Sequence, residues 1–192
     1  GDADGEWVNE TTPADPLTES GQLKWEAEQM SEDMLGKDCP VIQVRIGGIY
    51  GPGRNTAKRY LSDRYRMIED GEKYSNRIHR EDLVRAIALL SHHDQSEIVN
   101  VVDRKPVRLV DIISFLYQET GRDPETIPTI TWEEAEEQYS EMRLGLLKPQ
   151  KRVSSEKLRK DFGFDYRYPT AYDGFRALLE ELENDSAGKY EL

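Results

Sequence analysis

The chain has one cysteine, Cys39, among 192 residues. A single thiol excludes an internal disulfide and a cysteine-built metal cluster, and it suits a reducing compartment. Long hydrophobic runs are absent too: no apolar stretch approaches the roughly 20 residues of a membrane span. Gly1-Asp2-Ala3-Asp4-Gly5-Glu6 is acidic and polar, so no secretory signal peptide is expected. These absences predict a soluble protein of the cytoplasm or of an organellar matrix or stroma. Positive charge is short: 26 lysines and arginines face 38 carboxylates, a net charge of −12. A field of that sign repels polyanions, which argues against nucleic acid as a partner. No metal site is expected. Glu133, Glu134, Glu136 and Glu137 read as a solvated helix face, with no interleaved pattern converging on one point. His92 and His93 are adjacent, cannot face one metal from one side of a helix, and read as solvated groups at a helix C-terminus.

What is present alternates between strands and helices. Val41–Ile46 is β-branched and apolar, the pattern of a buried parallel strand. Gly47-Gly48-Ile49-Tyr50-Gly51-Pro52-Gly53-Arg54 follows at its carboxyl end, where ligands bind in open α/β sheets. The other reading of this loop is a tight turn after a core strand. Ile98–Val102 is a second strand. Leu23, Ala27, Met30 and Met34 recur at helical spacing and predict a helix over 18–35. A short helix is expected around Ala57–Met67 and an extended segment at Tyr74–His79. Leu83, Val84, Ile87, Ala88 and Leu90 predict another helix. A further one, carrying Leu109, Ile112, Ile113, Leu116 and Tyr117, can end at Gly121. Thr131–Glu134 is a capping box, Ser154 can cap a short helix, and Thr170 can cap a last helix carrying Phe175, Leu178, Leu179 and Leu182. Trp132, Tyr139 and Met142 read as core. Residues 1–17 and 184–189 read as loop and frayed tail. The class is therefore α/β. Two strong strands cannot make a stable open sheet alone, so something that supplies further strands is expected to be missing.

In order along the chain, Pro13-Ala14-Asp15-Pro16 with Lys24 and Glu28 comes first. Arg45-Ile46-Gly47-Gly48-Ile49-Tyr50-Gly51-Pro52-Gly53 and Asn76-Arg77-Ile78-His79-Arg80-Glu81-Asp82-Leu83 follow. Lys151–Leu158, Phe162-Gly163-Phe164 and Tyr168-Pro169 come last. This order resembles the second half of an extended short-chain dehydrogenase/reductase, of the NAD(P)-dependent nucleotide-sugar epimerase and dehydratase group. The shared Asn-Arg-Ile-His segment points to an atypical epimerase-like subgroup. The resemblance implies the C-terminal part of a Rossmann-type parallel sheet over about 1–104. A small, mainly helical substrate lobe is implied over 105–192, to which residues 54–70 can also belong.

Two departures stand out. The family's Gly-x-x-Gly-x-x-Gly dinucleotide fingerprint is absent, so the chain resembles a C-terminal fragment, a split-gene subunit or one half of a processed protein. The family's Tyr-x-x-x-Lys pair keeps its lysine as Lys24, but Ser20 stands four positions earlier. A serine hydroxyl is a far weaker acid than a phenol. The resemblance implies that Lys24 holds a nicotinamide ribose, with Ser20 beside it in the catalytic position. It implies that Gly47, Gly48 and Ile49 flank the nicotinamide of NAD or NADP. It implies that Arg54, Arg77 and His79 meet a small substrate, the arginines through its diphosphate. Other readings remain open for each: Lys24 paired with Glu28, the arginines paired with surface carboxylates, and His79 packed between helix and strand. Ser20 and Lys24 could also form a Ser-Lys nucleophile, though no oxyanion hole accompanies them. The activity implied is that of an NAD(P)-binding epimerase, dehydratase or reductase; the alternative is an inactive scaffold or assembly subunit. The resemblance sets the helix over 18–35 against the helix that packs in the family's dimer bundle, which implies a homodimer.

Overall fold

The structure is a computed structural model and describes residues 1–34, 40–54 and 56–187. It opens with a two-residue strand, β1 (Trp7–Val8), and a helix, α1 (Glu19–Met34). Next come β2 (Ile42–Ile46), β3 (Gly48–Tyr50), the short helix α2 (Thr56–Tyr60), β4 (Met67–Ile68), β5 (Tyr74–Ser75) and β6 (Arg77–His79). Then follow α3 (Arg80–Leu90), β7 (Glu97–Val101), β8 (Val107–Arg108), α4 (Leu109–Glu119) and β9 (Thr129–Ile130). The chain closes with α5 (Trp132–Gln138), α6 (Glu141–Leu147), β10 (Arg152–Val153), α7 (Glu156–Lys160) and α8 (Ala171–Ala187).

The sheet is built around an exchange of partners. β2 runs parallel to β7, from Ile42 against Glu97 to Ile46 against Val101. β3 continues the same chain direction but pairs in parallel with β6, Gly48 against Arg77 and Tyr50 against His79. The switch falls at Gly47. Its N–H donates to Val101 O (3.1 Å), and the N–H of Gly48 donates to Asn76 O (2.8 Å). A Cβ at Gly47 would stand 2.8 Å from Val102 Cγ1 and 2.9 Å from Asn76 O. Only a residue without a side chain lets the backbone pass between the two strands there. The crossover from β6 to β7 is α3, which starts where His79 Nδ1 accepts the Glu81 N–H.

Two cores flank this strand pair. Ile78, Leu83, Ala86, Leu90, Val99 and Val101 pack with Leu158, Phe164 and Tyr166 between sheet, α3 and α7. The second core joins Tyr50, Ala57, Tyr60 and Met67 to Val107, Ile112, Ile113, Leu116, Tyr117, Phe175, Leu178 and Leu179. Residues ahead of position 104 thus pack into the helical part through α2 and β4.

Several local expectations change. Residues 1–17 are not all loop: β1 pairs in parallel with β10, Trp7 against Arg152, an exchange of too few residues to leave a sequence period. The helix expected near 57–67 stops at Tyr60, and Ser62–Arg64 turns back. Residues 184–187 continue α8 rather than fraying; positions 188–189 of the expected tail lie outside the described residues, as do Leu35 and Cys39. Met142 is 73% exposed rather than core, and Trp132 and Tyr139 are half-buried on a cleft wall. Other expectations match: Thr131 and Glu134 form the reciprocal capping box, and Gly121 at φ +70° ends α4. Thr170 precedes α8, but its hydroxyl and N–H both donate to the Asp173 carboxylate.

Candidate functional site

A cleft of about 650 Å³ opens between α1 and the helical part. One wall is Pro16–Thr18 with Gly21, Lys24, Trp25 and Glu28 from α1. The opposite wall is Trp132, Tyr139, Arg143 and the strap from Gly145 to Lys151. Tyr60, Tyr65, Arg66, Tyr74, Asn76 and Arg77 line it between them. Nine cationic side chains border the space: Lys24, Arg45, Arg59, Arg66, Lys73, Arg77, Arg143, Lys148 and Lys151. Asp15 and Glu28 are the carboxylates among its lining residues. In a chain of net charge −12, this is a local reversal of sign, and it sits among aromatic rings.

Short polar links hold the cleft in shape. The Asn76 side chain donates to Lys151 O (2.9 Å) and accepts the Val153 N–H (2.7 Å), which fastens the strap to the start of β6. Lys73 donates to Leu146 O (2.7 Å) and Leu147 O (2.6 Å), the free carbonyls at the end of α6. Burial, with Lys151's charge second, lowers the Lys73 ammonium to about 8. Arg143 lies 3.5 Å from the centroid of the Tyr139 ring.

The sequence-derived candidates separate in space. Lys24 and Arg77 both line the cleft. Lys24 is exposed and does not pair with Glu28, because Glu28 is taken by Arg45, Nη2 to Oε2 at 2.7 Å with Nε also donating. Arg77 donates to the Tyr60 hydroxyl, and its guanidinium lies 5.5 Å from the Tyr60 ring and 5.7 Å from the Phe175 ring. Its Nε is buried with no hydrogen-bond partner. It forms no ion pair among the described residues, although a buried charge costs much when left unpaired. Ser20, Gly47, Gly48, Ile49, Arg54 and His79 are not part of this lining. Ser20 and Arg54 are exposed, and Ile49 packs on the sheet core. His79 is buried between the rings of Tyr168 (3.9 Å) and Tyr50 (5.3 Å), and burial holds its imidazole below the usual range. Residues 54–70 appeared only as a charged, aperiodic stretch. The alternation Arg59-Tyr60 and Arg64-Tyr65-Arg66 was the available signal, because four of these five side chains face the cleft.

Behind the cleft lies a buried acid. Asp103 is 3% exposed; its Oδ2 accepts from the Tyr50 hydroxyl (3.2 Å), and its Oδ1 makes no hydrogen bond of ordinary geometry among the described residues, with the His79 backbone N–H beside the carboxyl. Burial pushes its carboxyl well above the usual carboxylate range. A raised carboxylate pKa means the folded state binds the proton more tightly than the unfolded chain. Its contribution is present in full at acid pH and is lost as pH rises from the unfolded carboxylate value toward the folded one. Asp103→Asn keeps an acceptor for Tyr50 and removes that titration. Urea midpoints of the two proteins between pH 4 and 8 should therefore diverge, the asparagine variant gaining on the parent as pH rises. Parallel profiles would contradict the buried, proton-holding state.

Among the described residues no group of three or more His, Cys, Asp or Glu is placed to hold a metal ion. No described helix is long and apolar enough to cross a membrane.

No protein-family model matches the chain. A 90-residue segment, 47% of the chain, is 37% identical to Protein YeeZ of Escherichia coli (strain K12) and spans 31% of that protein. A conserved protein of unknown function from Silicibacter pomeroyi DSS superposes with a TM-score of 0.83 at 29% identity, over 94% of this chain and 62% of its own. A structure assigned as an NAD-dependent epimerase/dehydratase from Methylobacillus flagellatus gives 0.67 at 25%, over 93% and 59%. MoeE5, in complex with UDP-glucose and NAD, shares the fold with a TM-score of 0.74 at 20% identity, over 96% and 62%. The chain thus spans less than two thirds of the length of each of these proteins. Parallel strand pairs, flanking helices and these superpositions agree: the chain has an α/β fold that superposes on part of NAD-dependent epimerase/dehydratase structures.

Proposed function

We propose that the complete protein binds NAD or NADP and acts as an epimerase-, dehydratase- or reductase-like enzyme on a nucleotide-sugar-like substrate. The dinucleotide-binding half would lie outside this chain. The observation that carries the reading is the cationic, aromatic cleft of an otherwise acidic molecule, with Arg77 half-buried inside it and without an ion-pair partner among the described residues. Planar guanidinium groups meet phosphate oxygens bidentately, and tyrosine and tryptophan faces suit a planar base. In this reading Lys24 holds the ribose hydroxyls of the nicotinamide, and Arg77 neutralises the substrate diphosphate. Gly47, Gly48 and Ile49, at the carboxyl end of β2, border the nicotinamide edge. The nicotinamide, when bound, supplies hydride transfer. Leu23 and Met30, 60% and 67% exposed on α1, favour a homodimer through that helix.

Isothermal titration of the complete protein with NADH, NADPH and UDP-glucose tests the proposal. Saturable binding of one dinucleotide and of the sugar nucleotide is expected, and failure of all three to bind would refute it. A second reading, a catalytically silent scaffold, draws on Ser20, which replaces the family's tyrosine and stands outside the cleft lining. It predicts no turnover of a pyridine nucleotide and stoichiometric recovery of the protein in a larger complex.

A further inference from the structure

We infer that Tyr60 presents its phenol proton to an oxygen of the ligand held in the cleft, acting as the hydrogen-bond donor of the site. The inference rests on the anionic-ligand reading above. Tyr60 closes α2 and is buried. Its ring is fixed edge-on against Tyr65 (centroids 5.0 Å) and tilted against Phe175 (6.2 Å). Its oxygen accepts from Arg59 Nη2 at 3.2 Å and from Arg77 Nη2. Guanidinium groups carry only donors, so neither arginine can take the phenol's own hydrogen. No acceptor for that hydrogen occurs among the described residues. A buried hydroxyl needs a partner, and the cleft that Tyr60 lines is the space left to supply one.

The chemistry is specific. Two cations on the lone pairs polarise the O–H bond, so its hydrogen favours an electron-rich oxygen, that of a phosphate or of a sugar alkoxide. Such hydrogen bonds to charged acceptors are about twice as strong as neutral ones. Arg59, Arg77 and Tyr65 touch Tyr60, and Arg66 and Tyr139 line the same cleft. Burial pushes the phenol of Tyr65 above its usual range.

UDP-glucose is the probe, titrated at pH 7 into the complete protein and into its Tyr60→Phe variant, each also made in an Arg77→Gln background. Phenylalanine keeps the ring contacts, and urea midpoints check that both proteins fold alike. The expected result is affinity weaker by about 10-fold in the variant at pH 7. The same loss should persist when Tyr60→Phe is made in the Arg77→Gln background. Equal affinities would overturn the assignment and leave the anionic cleft standing. A loss that vanishes in the Arg77→Gln background would also overturn it, since Tyr60 would then serve only to hold Arg77. No binding by the parent protein would overturn the anionic-ligand reading and Tyr60's role with it.

Discussion

Replacing Phe175 by alanine is expected to lower the unfolding free energy by about 3–5 kcal/mol. The ring is fully buried, stacked on Tyr50 (4.9 Å between centroids) and packed among Tyr60, Ile112 and Leu178. The neighbouring Gly174 shows how little the site can collapse. A Cβ there would stand 2.3 Å from the Tyr50 hydroxyl oxygen and 2.6 Å from its ring, so the tyrosine already occupies all the room beside the helix. Tyr50 is also tied to Asp103 by its hydroxyl and cannot swing into the cavity without breaking that bond. Domains of this size are stable by only about 5–15 kcal/mol, so the variant should be close to unfolding at 37 °C. Urea unfolding checks this: the midpoint should fall with the slope unchanged. A loss below about 1 kcal/mol would show that α8 is not packed as described.

Replacing Arg77 by glutamine is expected to weaken UDP-glucose binding by about 10- to 100-fold, from the loss of charge-assisted hydrogen bonds worth about 1.5–3 kcal/mol. Stability should move the other way or stay level. Arg77 forms no ion pair among the described residues and has a buried Nε without a partner, so removing its charge relieves a desolvation cost. Loss of function without loss of stability is the mark of a group kept for a ligand rather than for the fold. Arg77→Lys should not restore affinity, because a point charge cannot lie flat between the Tyr60 and Phe175 rings. Affinity in the parent should fall as salt is raised. A variant that lost stability and binding together would reduce Arg77 to a packing residue.

The strands and helices with a strong period were legible. Val41–Ile46 became β2, Ile98–Val102 became β7 one residue earlier, and Thr131–Glu134 opened α5 as a capping box. Each is a local pattern set by neighbouring residues. The two-residue strands β1, β4, β8, β9 and β10 left no such pattern, since a period of two needs several repeats. The glycine loop was read as a ligand edge or a turn; the structure adds a third demand, the close passage of Gly47 between Val102 and Asn76. The cleft was least legible. Its walls join residues 14–28 to 132–151, and its middle comes from the aperiodic 59–77. No spacing rule connects segments that meet only after folding. Lys24 and Arg77 surfaced because the family motif names them, while Tyr60, Tyr65 and Arg143 belong to no such motif.

The central claim is that the space between α1 and the strap holds an anionic ligand. Amide and side-chain chemical-shift mapping of the complete protein during a UDP-glucose titration tests it most directly. Saturable shifts concentrated at Lys24, Tyr60, Arg77, Trp132 and Tyr139 are expected. Shifts confined to other surfaces, or none at all at millimolar ligand, would contradict it.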